Sequence, residues 1–204
     1  MTQRALSLLL LTMAFALPGC NLVTERTPVT LYELPAQALD PAPVQSTQSR
    51  ATLRLAMPHA SGLLDGSRIL VVPEPNQPRA YEGARWADDM PHLIRNRLLD
   101  AFLDDGRITN LVHAESMVSA DLELLSDLRS FHSEYRNDLP EATLRLDARL
   151  IDTRSQRLVA TQRFVQRQNA KSEAIPDVVD AFGMAADRLA RELVDWTATQ
   201  MAHR

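Results

Sequence analysis

The strict alternation of apolar and polar residues in Thr143–Ile151 constrains the fold more than any other part of the chain. Leu144, Leu146 and Leu150 would point to one side of an extended strand, and Arg145 and the other polar residues to the opposite side. This pattern is typical of an antiparallel sheet that buries one face and exposes the other to water. The sequence therefore predicts a sheet with one apolar face that another layer must cover.

The neighbouring segments extend this predicted sheet. Leu122–Phe131 and Leu158–Gln166 are runs of strand length on either side of the alternating segment. The polar residues of Asp152–Gln156 form a connection short enough for a hairpin. Shorter strands are predicted at residues 29–34, 52–57, 68–72 and 108–112.

Two helices are predicted to provide the covering layer. Asp88 or Asp89 can cap the first helix, with Pro91 in its first turn and Gly106 at its end. The second helix runs from Ile175 to about residue 201 and carries one apolar stripe. The economical packing places both helices over the apolar side of the sheet. The predicted fold class is therefore α+β, an antiparallel β-sheet with two main α-helices packed on one face.

The first twenty residues are typical of an exported lipoprotein. Arg4 gives a positive start, and residues 5–17 are apolar but too few to span a bilayer, which takes about 20 residues. The sequence Leu17-Pro18-Gly19-Cys20 resembles the lipobox of bacterial lipoproteins, although the proline is less usual at its position. We predict a signal peptide over residues 1–19 and lipidation of Cys20, with a plain secretory signal as the alternative.

Cys20 is the only cysteine of the chain. An exported protein normally avoids or pairs a free thiol, and one cysteine can form no internal disulfide. Lipidation of the sulfur explains its presence, and several acyl chains make such an anchor effectively permanent. By resemblance to enterobacterial sorting, Asn21 in place of an aspartate favours the outer membrane over the inner one. The protein would be anchored in the cell envelope and face the periplasm.

Composition divides the remaining chain and limits its partners. The proline-rich, polar residues 20–50 predict a tether with a first strand at 29–34, followed by a domain over residues 51–204. Removal of the signal leaves 21 basic and 26 acidic residues, a net charge of −5. Nucleic-acid binding needs a basic stripe, so nucleic acid is not an expected partner. Lys171 is the only lysine, and no polybasic membrane-binding segment is evident.

No catalytic or cofactor motif is found in the sequence. The phosphate-binding loop, the dinucleotide-binding pattern and the nucleophile elbow are absent. The five histidines are dispersed, so no metal site and no cofactor are predicted. Asp88-Asp89 and Asp104-Asp105 lie at predicted helix boundaries, where capping and turn roles explain them better than acid–base catalysis. Ser61 and Ser67 have no identifiable base. We expect no enzymatic activity.

The segment Tyr81–Asp88, predicted as a loop before the first helix, is the candidate partner-binding site. Tyr81, Arg85 and Trp86 belong to the residue types that are enriched where proteins bind partners. The alternative is that Trp86 fixes the helix to the sheet. The two roles are compatible.

Several segments along the chain, from the lipobox to the last helix, together resemble the family of ABC-type transport auxiliary lipoproteins. This is the PqiC-like group that accompanies MCE-type lipid transporters. The order and spacing of the matching segments carry the resemblance, which covers nearly the whole mature chain. Residues 74–80 depart from it, because they are proline-rich where relatives have a longer apolar-aromatic strand. The matching segments are the lipobox ending at Cys20, Leu31-Tyr32-Glu33-Leu34, Arg85-Trp86-Ala87-Asp88 leading into a helix, Leu122–Phe131, Leu144–Asp152 and the closing Ala/Leu-rich helix.

The resemblance implies a non-enzymatic part of a machine that moves lipids across the bacterial envelope. A permease and an ATPase would supply energy, a periplasmic MCE protein would form the conduit, and this lipoprotein would dock the conduit at the membrane that holds its acyl chains. The resemblance is compatible with a homo-oligomer, and the sequence does not fix the number of copies. The second hypothesis is an outer-membrane assembly lipoprotein that binds a β-barrel partner. The third is a periplasmic hydrolase with an unrecognised site.

Overall fold

The computed structural model describes residues 28–41 and 49–202, so the predicted signal peptide and Cys20 lie outside the described residues. The described chain forms one mixed sheet of eight strands and two α-helices. The helices are α1 (Met90–Asp105) and α2 (Ile175–Ala202). The strands are β1 (Thr30–Tyr32), β2 (Leu53–Leu55), β3 (Arg68–Val72), β4 (Arg79–Trp86), β5 (Leu111–His113), β6 (Leu122–Arg136), β7 (Leu139–Asp152) and β8 (Arg157–Asn169).

The long strands β6, β7 and β8 form an antiparallel meander at the centre of the fold. The alternation predicted from the sequence sets its faces: Leu144, Leu146 and Leu150 are fully buried beneath the helices. Asn137 and Asp138 connect β6 to β7 with φ of 50° and 62°. Two consecutive residues in the left-handed region are what a tight two-residue hairpin requires.

The short strands make the sheet mixed rather than wholly antiparallel. The edge of β6 that does not contact β7 pairs with two different strands, and both run parallel to it. Leu53–Leu55 pairs near the start of β6, and Leu70 pairs with His132 near its end. The α+β class is confirmed, but these parallel neighbours were not predicted, because strand periodicity reports which face is buried and not the direction of the neighbouring strand.

The two helices lie where the sequence predicts them. Pro91 occupies the first turn of α1, and Gly106 ends it with a φ of 74°, a left-handed conformation that glycine adopts without strain. The α2 helix packs on β7 and β8, and α1 packs beside α2. Buried residues of both helices join the single hydrophobic core. Among the described residues, no helix combines the length and apolar character needed to cross a membrane.

The prediction of a loop over Tyr81–Asp88 is wrong, because Arg79–Trp86 forms strand β4. The strand pattern was hidden by an irregularity: Gly83 has a φ of 68°, and the pairing of β4 with β3 shifts register between Arg68 and Leu70. The shift interrupts the alternation of side chains that identifies a strand. The strand predicted at residues 108–112 is also displaced, to Leu111–His113.

Candidate functional site

Trp86, one of the three predicted partner-binding residues, lies in the core. Its side chain is 1% exposed. The indole ring packs at 5.5 Å from Phe131 of β6 and at 5.4 Å, edge-on, from Phe182 of α2, both measured between ring centroids. Phe131 and Phe182 stack at 5.0 Å. This cluster joins the sheet to α2, which favours the alternative role of Trp86 as the residue that fixes a helix to the sheet.

Tyr81 is half-buried on the helix side of the sheet. Its hydroxyl lies 3.0 Å from the Ser133 hydroxyl of β6. Burial raises the pKa of Tyr81, and the hydrogen bond to Ser133 partly opposes that rise. The phenol therefore stays neutral and structural at ordinary pH, with only part of its ring on the surface.

Arg85 is exposed on the opposite side of the sheet from Trp86. Two other exposed side chains lie beside it on the same face. Leu31 of β1 is its partner on one side, and Arg68 of β3 is its partner on the other. Leu31 is 65% exposed. The structure thus separates the three predicted residues: Trp86 lies in the core, Tyr81 at its margin and Arg85 on an outer surface, where a partner-binding role stays a prediction.

The part of this outer face formed by β6, β7 and β8 carries several ion pairs between neighbouring strands. Asp147 on β7 accepts hydrogen bonds from Arg163 on β8, with a shortest distance of 2.6 Å, and Arg129 on β6 lies at 3.4 Å. The guanidinium of Arg163 holds the pKa of Asp147 below its usual range. Asp127 and Arg149 form a further cross-strand pair at 2.8 Å. Opposite charges across neighbouring strands stabilise a solvated sheet face.

The N-terminal segment after β1 crosses the helix layer and is held there by a buried ion pair. Arg97 of α1 donates to Asp187 of α2 at 2.5 Å, and Arg97 is 3% exposed. The same arginine donates to the carbonyl of Gln37 at 2.8 Å, while the Gln37 amide donates to Asp187 at 3.2 Å. Leu39 inserts beside them with 6% exposure. Sequence reasoning missed this site, since its members are far apart along the chain.

A close approach of backbone fixes this segment further. A side chain at Gly183 of α2 would place its Cβ 2.6 Å from the carbonyl oxygen of Pro35. Only glycine at this position allows the backbone of the N-terminal segment to lie directly on the helix. Residues 35–39, which we call the strap, therefore belong to the packed domain, although composition assigns them to the predicted tether over residues 20–50.

The end of the sheet where β6 begins carries exposed apolar side chains. Met117 and Val118, in the loop between β5 and β6, are 99% and 54% exposed. Leu158, just after the β7–β8 hairpin, is 56% exposed. Arg54 donates to the Val118 carbonyl at 2.7 Å and holds the loop against β2. Sequence reasoning gave no signal here, because isolated apolar residues in a loop have no periodicity.

An open groove of about 570 Å³ lies on the outer face, beside the C-terminal half of β6. Leu63, Leu70 and Pro75 contribute apolar walls. His132 and Glu134 line it as well, and they lie 3.0 Å apart as a pair. The groove contains no acid, base and nucleophile in the arrangement that covalent catalysis uses.

Asp88 and Asp104, two of the aspartates weighed for acid–base catalysis, have hydrogen-bond partners within the domain. Asp88 accepts a hydrogen bond from the Asp89 amide and lies 3.0 Å from His92, and the contact with His92 lowers the pKa of Asp88. Asp104 accepts from the Leu39 amide. Asp89 occupies the position before α1, but its side chain makes no capping hydrogen bond. Within residues 28–41 and 49–202, no cluster of three potential metal ligands occurs.

Similar proteins share this fold. Protein XCC0632 from Xanthomonas campestris, of family DUF330, is 30% identical, superposes with a TM-score of 0.79, and the match covers 86% of this chain and 98% of that one. Protein CT253 from Chlamydia trachomatis shares the fold alone, with 10% identity, a TM-score of 0.51, and coverage of 76% and 99%.

A curated relative is longer than this chain. Protein bll6063 from Bradyrhizobium diazoefficiens is 30% identical over 148 residues, which are 72% of this chain and 39% of the relative. The chain thus matches about two fifths of that protein's length. The family model of the ABC-type transport auxiliary lipoprotein component matches residues 32–194, from β1 to well inside α2. The chain therefore belongs to the family of ABC-type transport auxiliary lipoprotein components.

Proposed function

We propose that this protein is a lipid-anchored, non-enzymatic component of an MCE-linked ABC system that moves lipids across the bacterial envelope. The family membership carries the proposal, since it supports association with an ABC transport system. The MCE partner and the lipid cargo extend it along the resemblance described above. In this proposal Cys20 holds the acyl chains in the outer membrane, and the domain faces the periplasm and docks the MCE protein.

The direction in which the chain enters the domain supports a docking role. β1 is parallel to β4, β4 is antiparallel to β3, and β3 is parallel to β6. β1 therefore runs antiparallel to β6, and residues 28–29 enter from the side of the C-terminal end of β6. The strap then fixes the following residues to both helices. An anchor attached before β1 would pull on a rigid unit rather than on a loose tail.

The apolar loop lies toward the opposite end of the sheet from this entry. It precedes Leu122 at the start of β6, whereas β3 contacts β6 at His132. These two positions are ten residues apart, or ~33 Å along a strand. We propose that Met117, Val118 and Leu158 form the contact with the periplasmic MCE protein, because exposed apolar side chains gain from burial in an interface.

Site-specific crosslinking in the native envelope tests this contact. A photoreactive residue at Met117 should yield an adduct that contains an MCE protein. The same residue at Asn169, which is exposed and lies in register with Glu141 and Glu134 near the opposite end of the sheet, is the control and should yield no such adduct. A β-barrel protein as the main Met117 adduct would favour the assembly hypothesis, and the absence of any MCE adduct from Met117 would contradict the proposal.

The anchor is tested separately by Cys20→Ala. The variant should lose incorporated acyl chains and leave the membrane fraction, while its melting temperature stays unchanged because the domain keeps all its packing. Mass spectrometry of the processed N-terminus measures the modification directly. Recovery of an unmodified Cys20 thiol in the wild type would show that the anchor does not exist.

A further inference from the structure

Two exposed arginines near the β1 edge of the sheet lie directly beside each other on the outer face. Arg68 on β3 and Arg85 on β4 are directly paired across antiparallel strands, so their side chains point to the same side. Both are exposed. Like charges in this position repel and destabilise the strand pair. A bound anion would offset this repulsion between the two guanidinium groups.

Within the part of the chain that the structure describes, no acidic side chain pairs with either arginine. Among the described residues, neither Arg68 nor Arg85 forms an ion pair, whereas Arg129, Arg149 and Arg163 on the same face each pair with an aspartate. Glu33, just past β1, and Glu82 on β4 are exposed and also form no ion pair with the two arginines. The guanidinium groups are therefore free to bind a phosphate, for which their planar donor sets are well suited.

Exposed apolar side chains lie beside the two arginines, and we call the surface formed by Val29, Leu31, Arg85 and Arg68 the strip. Leu31 pairs with Arg85 across β1 and β4, so the row across the sheet edge reads Leu31, Arg85, Arg68. Leu31 is 65% exposed, and Val29, immediately before β1, is 48% exposed. Arginine beside exposed aliphatic residues is the composition of a surface that rests on the headgroup region of a bilayer.

The length of the connection to the anchor brings this strip to a membrane. Pro28 is eight positions after Cys20. Even fully extended, eight residues span no more than ~28 Å. A lipid at Cys20 would therefore hold the β1 edge close to the bilayer surface, where a short tether gives an effective concentration in the millimolar range and makes weak contacts productive.

We propose that the strip formed by Val29, Leu31, Arg85 and Arg68 binds the phosphate groups of anionic phospholipids in the membrane that anchors the protein. The inference rests on the lipid anchor proposed above. It assigns Arg85 to a lipid surface and leaves the Met117 end of the sheet for the protein partner. The contact limits the orientations that the domain can take on the membrane and leaves the loop before β6 at a distance from the strip.

A fluorophore at the strip measures this contact in the lipidated protein. Because the sulfur of Cys20 would be acylated, Leu31→Cys introduces the only free thiol. In vesicles of phosphatidylcholine with 30 mol% phosphatidylglycerol, roughly the anionic content of a charged leaflet, lipids carrying a headgroup quencher should quench the label at Leu31→Cys. A label at Leu158→Cys, at the other end of the sheet, should be quenched little.

Charge substitutions identify the arginines. Arg68→Gln and Arg85→Gln should reduce quenching at position 31 together, and Arg191→Gln, an exposed arginine on α2, should leave it unchanged. In the Cys20→Ala chain, partitioning onto the same vesicles should fall about fivefold for each arginine removed. High salt should have the same effect, since it screens exposed charges.

The possible failures are distinguishable. Failure of the lipidated wild type to float with neutral phosphatidylcholine vesicles would contradict the anchor and hence the proposed function. Flotation with equal quenching at positions 31 and 158, or quenching that is unchanged by neutral lipid and by the double arginine variant, would overturn the strip alone. A protein adduct as the main product of crosslinking from position 31 in the envelope would also overturn it, because the strip would then be a protein contact.

Discussion

The outer face of the sheet has two regions that use arginine in opposite ways. On the β6–β7–β8 meander, several arginines lie close to aspartates of neighbouring strands, as Arg149 does to Asp127 at 2.8 Å. At the β1–β4–β3 edge, Arg68 and Arg85 lie opposite each other and have no acidic partner among the described residues. Paired charges are neutralised within the chain and stabilise the folded sheet. Repelling charges reduce stability, and their presence indicates a ligand that the chain alone does not supply.

The two sides of β4 differ as sharply as the two regions of the sheet. Trp86 faces the core and Arg85, its neighbour, faces outward. Trp86 stabilises the folded domain, whereas Arg85 is available for contacts outside it. Substitutions at these positions and in the neighbouring ion pairs therefore separate structural roles from binding roles, and they are ordered below by the size of the expected effect.

Trp86→Ala should give the largest loss of stability. It removes the ring that packs on Phe131 and Phe182, and truncation of a large buried aromatic residue costs ~3–5 kcal/mol. The midpoint of urea unfolding measures the loss. Trp86→Phe is the matched control and should lose less, because it keeps a ring and the indole nitrogen has no hydrogen-bond partner in the described residues. Equal loss in both variants would contradict a packing role.

Asp187→Ala should be the next most damaging change. It leaves Arg97 buried without its carboxylate and releases the Gln37 amide, and breaking a buried pair in this way costs about 3 kcal/mol. Limited proteolysis of residues 35–39 should accelerate, since the strap would detach. The double variant Arg97→Met with Asp187→Leu should recover much of the stability. A strap that stays protected in Asp187→Ala would show that Leu39 alone holds it.

Asp147→Asn and Arg85→Gln should have small effects of opposite sign. The pKa of Asp147 is lowered in the folded protein, so its carboxylate contributes stability above its ordinary pKa of 3.8, and this contribution is lost as the pH falls through the folded-state pKa. Asp147→Asn should therefore melt lower than wild type at neutral pH, and the difference should shrink below pH 3.8.

Arg85→Gln should change stability by no more than about 0.5 kcal/mol, toward higher stability, as the repulsion from Arg68 is removed.

Melting curves at pH 7 and pH 3, roughly on either side of the carboxylate pKa range, compare the two variants directly. If Arg85→Gln destabilised the domain as much as Asp147→Asn does, the edge arginines would be structural, and the contrast between the two regions would disappear.

Much of the fold is predictable from sequence because its signals are local. The alternation around Leu144 and Leu146 gives both a strand and its buried face, and Pro91 and Gly106 mark the ends of α1. The candidate site was predictable only in part. Tyr81, Arg85 and Trp86 were grouped as one surface, but β4 sends Arg85 and Trp86 to opposite sides and its irregularity at Gly83 keeps Tyr81 on the core side. Composition alone does not reveal which side of a strand a residue occupies when the alternation is interrupted.

The sequence by itself determined the strands of the meander, the two helices and their order, because each depends on residues within a few positions of one another. The tertiary structure alone decided that β2 and β3 share one edge of β6, that Gln37 meets Asp187 across 150 residues, and that Arg68 lies beside Arg85. The reason is physical: secondary structure follows from local periodicity, whereas the partner of a charge is fixed only when separate strands and helices pack together.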